Sequence, residues 1–365
     1  MREIELPGYR VTVASGALER LRDVVRATSG PAHRYAVITD ENVGRLYGDS
    51  VRARLDDGRG TQHGTKLLTI PAGERHKTRA TWADLTDRLL DMGFGRDSTI
   101  VALGGGVVGD IAGFVAATFM RGIPCIQLPT TLLAMIDASV GGKTGVDTPA
   151  GKNLVGAFHR PAAVFADTAT LATLPVEQLC SGLAEAIKHG VIADESYFEE
   201  TARDAAILLS GPNASTDAVE ALITRSIEIK ADIVRRDEHE SGIRKVLNFG
   251  HTIGHALETS SGYEMLHGEA VAIGMILEAT LGESMGVTEP GTADRIRAAL
   301  ERAGLPTARP AGIEAETIER AMRADKKARG GGIELALPAR IGTMAGGDSG
   351  WTVPVSSALV REVLG

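Results

Sequence analysis

An apolar run that ends in three glycines limits the architectures open to this chain. Residues 98–106 read STIVALGGG, an apolar stretch of strand length that stops on glycine. Residues 110–122, DIAGFVAATFMRG, have helical length and are mostly apolar, and IPCIQLPTT at 123–131 is the next strand-like run. Strand, helix and strand in that order form a crossover unit with parallel strands. Apolar runs without alternation mean burial on both faces, so helices must cover both sides of the sheet. RYAVITD at 34–40 and KLLTIPAGE at 66–74 read as further strands. TRATWADLTDRLLDMG at 78–93 has helical spacing, with Trp82, Leu85, Leu89 and Leu90 on one side. The first half is expected to be an α/β domain with a parallel sheet.

The texture changes after Leu174-Pro175. Segments such as LPVEQLCSGLAEAIKHGVIAD, HGEAVAIGMILEATLGESMG and TADRIRAALERAG repeat their apolar residues at helical spacing. A chain of 365 residues is also too long for one small core. Two domains are expected, α/β over 1–170 and all-α over 171–365. ELALPARIG at 334–342 reads as a late strand or hairpin, and Gly330, Gly331 and Gly332 as a loop tip.

The formal net charge of −8 argues against a nucleic-acid partner, because a phosphate backbone rewards a basic face. A local basic cluster in an acidic chain points instead to a small anionic ligand. Two cysteines provide no disulfide framework and fit a reducing compartment. The N-terminal residues lack an apolar signal core, and no apolar run reaches the roughly 18 residues a membrane span needs. A cytoplasmic enzyme without a membrane partner is expected.

Gly104, Gly106 and Gly109 satisfy G-x-G-x-x-G between a predicted strand and a predicted helix. That spacing fits either a dinucleotide phosphate site or a tightly packed strand–helix turn. Asp110, Thr130-Thr131 and Asp40-Glu41-Asn42 favour the nucleotide, since all lie at carboxyl ends of predicted strands. Lys143 follows Gly141-Gly142, and Lys152 follows Gly151. Glycine-flanked lysines are placed to offer an ammonium to an anion, or are simply exposed in loops.

NFGHTIGHALE at 248–258 puts His251 and His255 one turn apart, HGEA adds His267, and SGLAEAIKHG adds Glu185. Two histidines and a carboxylate make an open, catalytic type of zinc site. Spacing alone makes His251 and His255 the natural pair, although no glutamate stands between them as in HExxH. Lys230, Arg244, Lys245, Lys326 and Lys327 are cations of the helical half, and spacing does not decide which of them meet a ligand.

With these motifs in view, the chain resembles the 3-dehydroquinate synthase family of sugar phosphate cyclases. The landmarks are TDENVG, PAGERHK, GGGVVGDIAGFVAATFMRG, PTTLLAMIDASVGGKTGVDTPAGKNLVGAFHRP, GLAEAIKHG, LNFGHTIGHALE, HGEAVAIGM and ADKK, in order along nearly the whole length. The resemblance implies a Rossmann-like N-terminal domain that binds NAD and a helical C-terminal domain that carries zinc or cobalt, with the active site between them. It implies Glu185, His251 and His267 as metal ligands, which leaves His255 to the substrate or a proton relay.

Asp40, Asn42, Glu74, Lys77, Gly105, Gly106, Val107, Val108, Gly109, Asp110, Thr130, Thr131, Lys143, Lys152, Thr170, Leu171 and Thr173 fall where the family holds the dinucleotide. Asp137, Lys143, Lys152, Asn153, Lys188, Lys230, Arg244, Asn248 and His255 fall where it holds the substrate. One of Lys326 and Lys327 would reach the substrate phosphate, and Arg121 would do so from a neighbouring subunit of a homodimer. The implied reaction converts 3-deoxy-D-arabino-heptulosonate 7-phosphate to 3-dehydroquinate and phosphate, a step toward chorismate and the aromatic amino acids. NAD is oxidised and then restored, with phosphate elimination and an intramolecular aldol closure. The competing expectations are another cyclase, including one for an amino analogue, and a metal-dependent alcohol dehydrogenase.

Overall fold

Alternate residues of the central strands feed two different cores. The computed structural model describes residues 1–22, 25, 34–56, 64–210, 216–262, 264–327 and 333–364, with the side chains at 324–327 outside that description. The glycine tip at 330–332 also lies outside the described residues. The chain divides into two compact units, Met1–Leu174 and Pro175–Gly365.

The first unit holds a seven-stranded sheet in the order β1-β2-β9-β6-β5-β3-β4. Its strands are β1 (Arg2–Leu6), β2 (Tyr9–Ala14), β3 (Arg34–Asp40), β4 (Lys66–Ile70), β5 (Ser98–Gly104), β6 (Cys125–Pro129) and β9 (Ala163–Asp167). The β1–β2 pair is antiparallel, and all other pairings are parallel. Ala36, Ile38, Ile100 and Ala102 enter one core, with Leu85 and Leu89 of α2 (Arg79–Asp91) and Ile111 and Val115 of α3 (Gly106–Thr118). Val37, Val101, Leu103, Ile126 and Leu128 enter the other, with Leu21 and with Val51 and Leu55 of α1 (Asp49–Leu55). Side chains alternate across a strand, so one run of residues serves both layers. Leu90 departs from its predicted face and is 53% exposed, because the buried stripe of α2 runs through Leu85 and Leu89.

The segment between β6 and β9, which carries the glycine-flanked Lys143 and Lys152, contains an antiparallel hairpin. It pairs β7 (Lys143–Thr148) with β8 (Gly151–Phe158) and carries an irregularity between Val146 and Thr148. The β7 side packs on α3, where a Cβ on Gly113 would overlap the Thr144 side chain.

The second unit is mainly helical. It comprises α4 (Val176–Ala193), α5 (Glu195–Leu208), α6 (Thr216–Arg236), α7 (His251–Ser260), α8 (His267–Ser284), α9 (Thr292–Arg302), α10 (Ala315–Lys327) and α11 (Ser357–Leu364). The predicted late strand becomes β10 (Ile333–Leu335) and β11 (Pro338–Arg340), paired with β13 (Val353–Val355) and β12 (Thr343–Met344). Helix α8 is buried almost all round, from Gly268 to Gly282. Its glycines allow backbone contact on two sides. A Cβ on Gly268 would overlap Ser181 of α4, and one on Gly274 would overlap the carbonyl oxygen of Gly250, just before α7. Three helices are thereby held at short axial distances, and each carries a predicted metal ligand.

Candidate active site

Glu185 projects from the middle of α4 and is fully buried. His251 and His267 are the first residues of α7 and α8. His251 Nε2 lies 3.6 Å and His267 Nε2 3.5 Å from the same carboxylate oxygen, Glu185 Oε1. One potential ligand atom from each residue lies within 4.8 Å of the others. The second nitrogen of each imidazole is held from behind. His251 Nδ1 is 3.1 Å from the Phe249 carbonyl, and His267 Nδ1 is 3.2 Å from Glu258 Oε1. An oxygen behind each ring, with Nε2 directed inward, is the arrangement that fixes tautomer and aim in metal-ligating histidines. This donor set fits a divalent cation of the zinc type.

His255 sits beside the trio, its ring centroid 5.2 Å from that of His251 and 6.2 Å from that of His267. It shares a second candidate group with Glu258 and His267. Glu258, 2% exposed, was not singled out by the sequence reading, although it lies seven residues after His251 and shares its helix face. The Lys188 ammonium is paired with Glu185 Oε2. Burial pushes the proton affinity of His251 well below the ordinary value, and the Lys188 charge adds to this. Burial also opposes charge on His267, but hydrogen bonds to Glu185 and Glu258 outweigh it and push the ring up to about 10.

The same unit buries three of its predicted cations: Lys188, Lys230 and Arg244. Arg244 Nη1 donates to the Glu238 carbonyl. Its loop is organised by Asp237, whose carboxylate accepts from the backbone amides of Ser241, Gly242 and Arg244 at 3.0, 2.7 and 3.0 Å. Burial works against the Asp237 charge, but these amides prevail and hold it at about 2. Asn248 donates to Glu240 Oε1 at 2.6 Å. Lys326 and Lys327 end α10, and their side chains lie outside the described residues.

In the first unit, strand order reverses between β3 and β5: later strands run to one side of β5, while β4 lies beyond β3. Ligands of open α/β sheets bind at carboxyl ends of strands beside such a reversal. Asp40 ends β3, and Gly104 ends β5 and leads through Gly105 into α3. The first turn of α3 has no side-chain cap, so its amides and dipole face outward from Gly106 and Val107. The tight-turn explanation also holds here. A Cβ on Gly104 would lie 2.7 Å from Val108, and one on Gly109 2.9 Å from Gln127 Oε1.

Asp40 itself caps a short helical turn, accepting from the amides of Asn42 and Val43 at 2.8 and 3.0 Å. Thr131 likewise accepts from the Ala134 amide at 3.1 Å, at the start of the turn that carries Asp137. Thr130 is buried. Thr170 and Leu171 are buried, and Thr173 Oγ1 lies 2.7 Å from the Tyr47 hydroxyl.

Several predicted residues converge on one ionic cluster. Lys77 Nζ is 2.6 Å from Asp110 Oδ2 and 3.8 Å from Glu74 Oε1, and Lys152 Nζ is 3.4 Å from that same Glu74 oxygen. Asp147, absent from the predicted set, joins them and accepts from the Asn153 amide at 2.9 Å. Asn153 has a φ of 54°, a left-handed conformation that asparagine tolerates better than most residues. Burial lowers the proton affinity of Lys77, but Asp110, Glu74 and Asp147 outweigh it and hold the ammonium charged. Burial raises the Asp147 carboxyl despite the opposing charge of Lys77. Lys143 is exposed at the start of β7. Arg121 is exposed, and it and Met120 are successive residues with positive φ, 67° and 51°.

Residues 67–181 match the family model for the 3-dehydroquinate synthase N-terminal domain, and residues 182–328 the model for the C-terminal domain. The 3-dehydroquinate synthase of Symbiobacterium thermophilum is 44% identical over 335 residues, covering 92% of each chain. Among solved structures, a 2-deoxy-scyllo-inosose synthase complexed with carbaglucose-6-phosphate, NAD+ and Co2+ is similar with a TM-score of 0.89 and 27% identity, over 100% of this chain and 99% of the other. A 2-epi-5-epi-valiolone synthase from Streptomyces hygroscopicus with NAD+ and Zn2+ bound is similar with a TM-score of 0.84 and 26% identity, over 100% and 98%. The two matched halves meet at residue 181, within α4, and the identity extends across nearly all of the chain. On these grounds the chain belongs to the 3-dehydroquinate synthase family.

Proposed function

We propose that this protein is a 3-dehydroquinate synthase that uses NAD and a divalent cation, Zn2+ or Co2+, to convert 3-deoxy-D-arabino-heptulosonate 7-phosphate to 3-dehydroquinate and phosphate. The observation that carries the reading is the convergence of Glu185, His251 and His267, with an oxygen behind each imidazole. When bound, the cation supplies charge that acidifies a substrate hydroxyl, and the nicotinamide supplies a reversible hydride acceptor.

The chain's own residues do the rest. Glu185, His251 and His267 hold the cation. His255, next to the trio but not needed as a ligand, takes and returns a proton at a ring nitrogen. The buried cations Lys188, Lys230 and Arg244 favour a doubly anionic substrate and stabilise negative charge that develops on it. Asn248, Asp137, Lys143, Lys152 and Asn153 orient its hydroxyl and carboxylate groups. One of Lys326 and Lys327 meets its phosphate. The uncapped first turn of α3, with Gly105, Gly106, Val107, Val108 and Gly109, receives the dinucleotide pyrophosphate. Asp40, Asn42, Glu74, Lys77, Asp110, Thr130, Thr131, Thr170, Leu171 and Thr173 complete that pocket.

A homodimer belongs to this reading, with Arg121 serving the second copy. The exposed apolar side chains Leu154, Val155 and Phe158 on β8 are consistent with a covered surface. A cytoplasmic location also belongs to it. Among the described residues no helix is long and apolar enough to cross a membrane, and both cysteines are free.

The test is to incubate the protein with the heptulosonate phosphate, NAD and Zn2+ and to identify the products. 3-Dehydroquinate and phosphate in equal amounts, without net NADH, are expected. Stoichiometric NADH, or turnover of a different sugar phosphate to a different carbocycle, would overturn the assignment.

A further inference from the structure

The helix that presents His251 and His255 begins without a cap of its own. Position 250 precedes the first residue of α7 and is a glycine in the left-handed region, with φ 78°. A capping side chain has no room there, since a Cβ would lie 2.5 Å from Met275 Cγ and 3.0 Å from the Val271 carbonyl oxygen. An ordinary capping box satisfies the amide of the cap residue and the amide three residues on. In α7 both go to one carboxylate from another helix. Glu278 Oε2 accepts from the Gly250 amide at 2.7 Å, and Glu278 Oε1 accepts from the Ile253 amide at 3.0 Å. Glu278 is fully buried on α8, one turn beyond Gly274.

We propose that Glu278 is a positioning residue for the metal centre: it caps α7 from α8 and so fixes His251 relative to His267. The two imidazoles depend on the register between these helices, because their Nε2 atoms reach Glu185 Oε1 from different elements at 3.6 and 3.5 Å. A carboxylate suits the task. It offers two acceptor oxygens, as two amides require, and its charge is favourable at a helix N-terminus. A glutamine has the same shape but only one acceptor, so one of the two amides must face an NH2 group.

The inference rests on the metal assignment, so the unsubstituted protein is titrated with Zn2+ against a competing chelator first. Failure to take up Zn2+ there would overturn both. Glu278→Gln is then expected to bind Zn2+ about tenfold or more weakly. It should also shift the visible absorption bands of the Co2+-loaded protein and speed amide exchange at residues 250–255. Glu278→Asp keeps both oxygens and should fall between the wild type and Glu278→Gln in all three measurements. It also serves as the variant of record if Glu278→Gln does not fold. A folded Glu278→Gln protein with wild-type Zn2+ affinity and an unchanged Co2+ spectrum would overturn this inference alone. So would lower thermal stability without either metal effect, or an Asp variant indistinguishable from wild type while Glu278→Gln does not fold.

Discussion

Glu258 stands directly behind His267, its Oε1 3.2 Å from the ring Nδ1, while the opposite nitrogen points at Glu185. The imidazole is therefore oriented by one carboxylate and directed at another. Glu258→Ala removes the rear acceptor and frees the ring to rotate. Metal affinity should fall by about 10–100-fold, with Glu185 and His251 unchanged. Equilibrium dialysis with Zn2+ measures this. Wild-type affinity in the variant would mean that helix packing alone aims the ring.

Lys77 contributes to stability with a defined pH sign. Its folded proton affinity is raised above the ordinary value of 10.5, since Asp110, Glu74 and Asp147 outweigh the effect of burial. Its contribution is thus complete below that unfolded value and is lost as pH rises toward the higher folded value. Lys77→Met should destabilise the first unit near neutrality, because Asp110, 20% exposed at its side chain, loses its 2.6 Å partner. The difference from wild type should shrink at strongly alkaline pH. Urea melts at neutral pH and above about pH 11 test the sign. A difference that grows with alkalinity would contradict it.

Close backbone approach between α7 and α8 predicts a low tolerance for added volume. Gly274→Ala places a methyl group on the Gly250 carbonyl oxygen, where neither backbone segment can yield easily. Overpacking of this kind costs about 1–3 kcal/mol or more. Thermal melts should show the loss, and Zn2+ binding should weaken in parallel because His251 follows Gly250. Retention of both would show that the helices separate freely.

The two thiols should react at very different rates. Cys125 is the first residue of β6 and lies in the core, where burial pushes its thiol up to about 12. Cys180 is only partly buried, and burial raises it less far. At about pH 8 an alkylating reagent should label Cys180 in the native protein and reach Cys125 only on unfolding. Peptide mass mapping reads the outcome, and rapid labelling of both would contradict the burial of Cys125.

The strand and helix pattern was legible where burial is continuous. STIVALG became a strand buried at every position, and the segments after Pro175 became helices. The β7–β8 hairpin was not, because KTGVDT has a single apolar residue and those of GKNLVGAF neither alternate nor belong to the buried core, so the pair is recognised only by its backbone pairing around Gly145 and Gly156. Glu74, Lys77, Asp110 and Lys152 were each named in the sequence reading and do meet. Glu74 and Lys77 are only three residues apart, but their pairing with Asp110 and with Asp147 and Lys152 of the hairpin was hidden, since no sequence spacing links those three stretches. Glu258 and Glu278 were missed for a related reason. A carboxylate on a helix looks like any solvated charge until the helix packed against it is known.

The glycine contacts on α8 have a further consequence. The spacing of α4, α7 and α8 rests on main-chain atoms touching main-chain atoms at Gly268 and Gly274, not on the fit of flexible side chains. Main chain inside a helix has little freedom left to lose. Metal uptake at Glu185, His251 and His267 therefore requires little ordering of the polypeptide, so little of the binding free energy is diverted to assembling the cage.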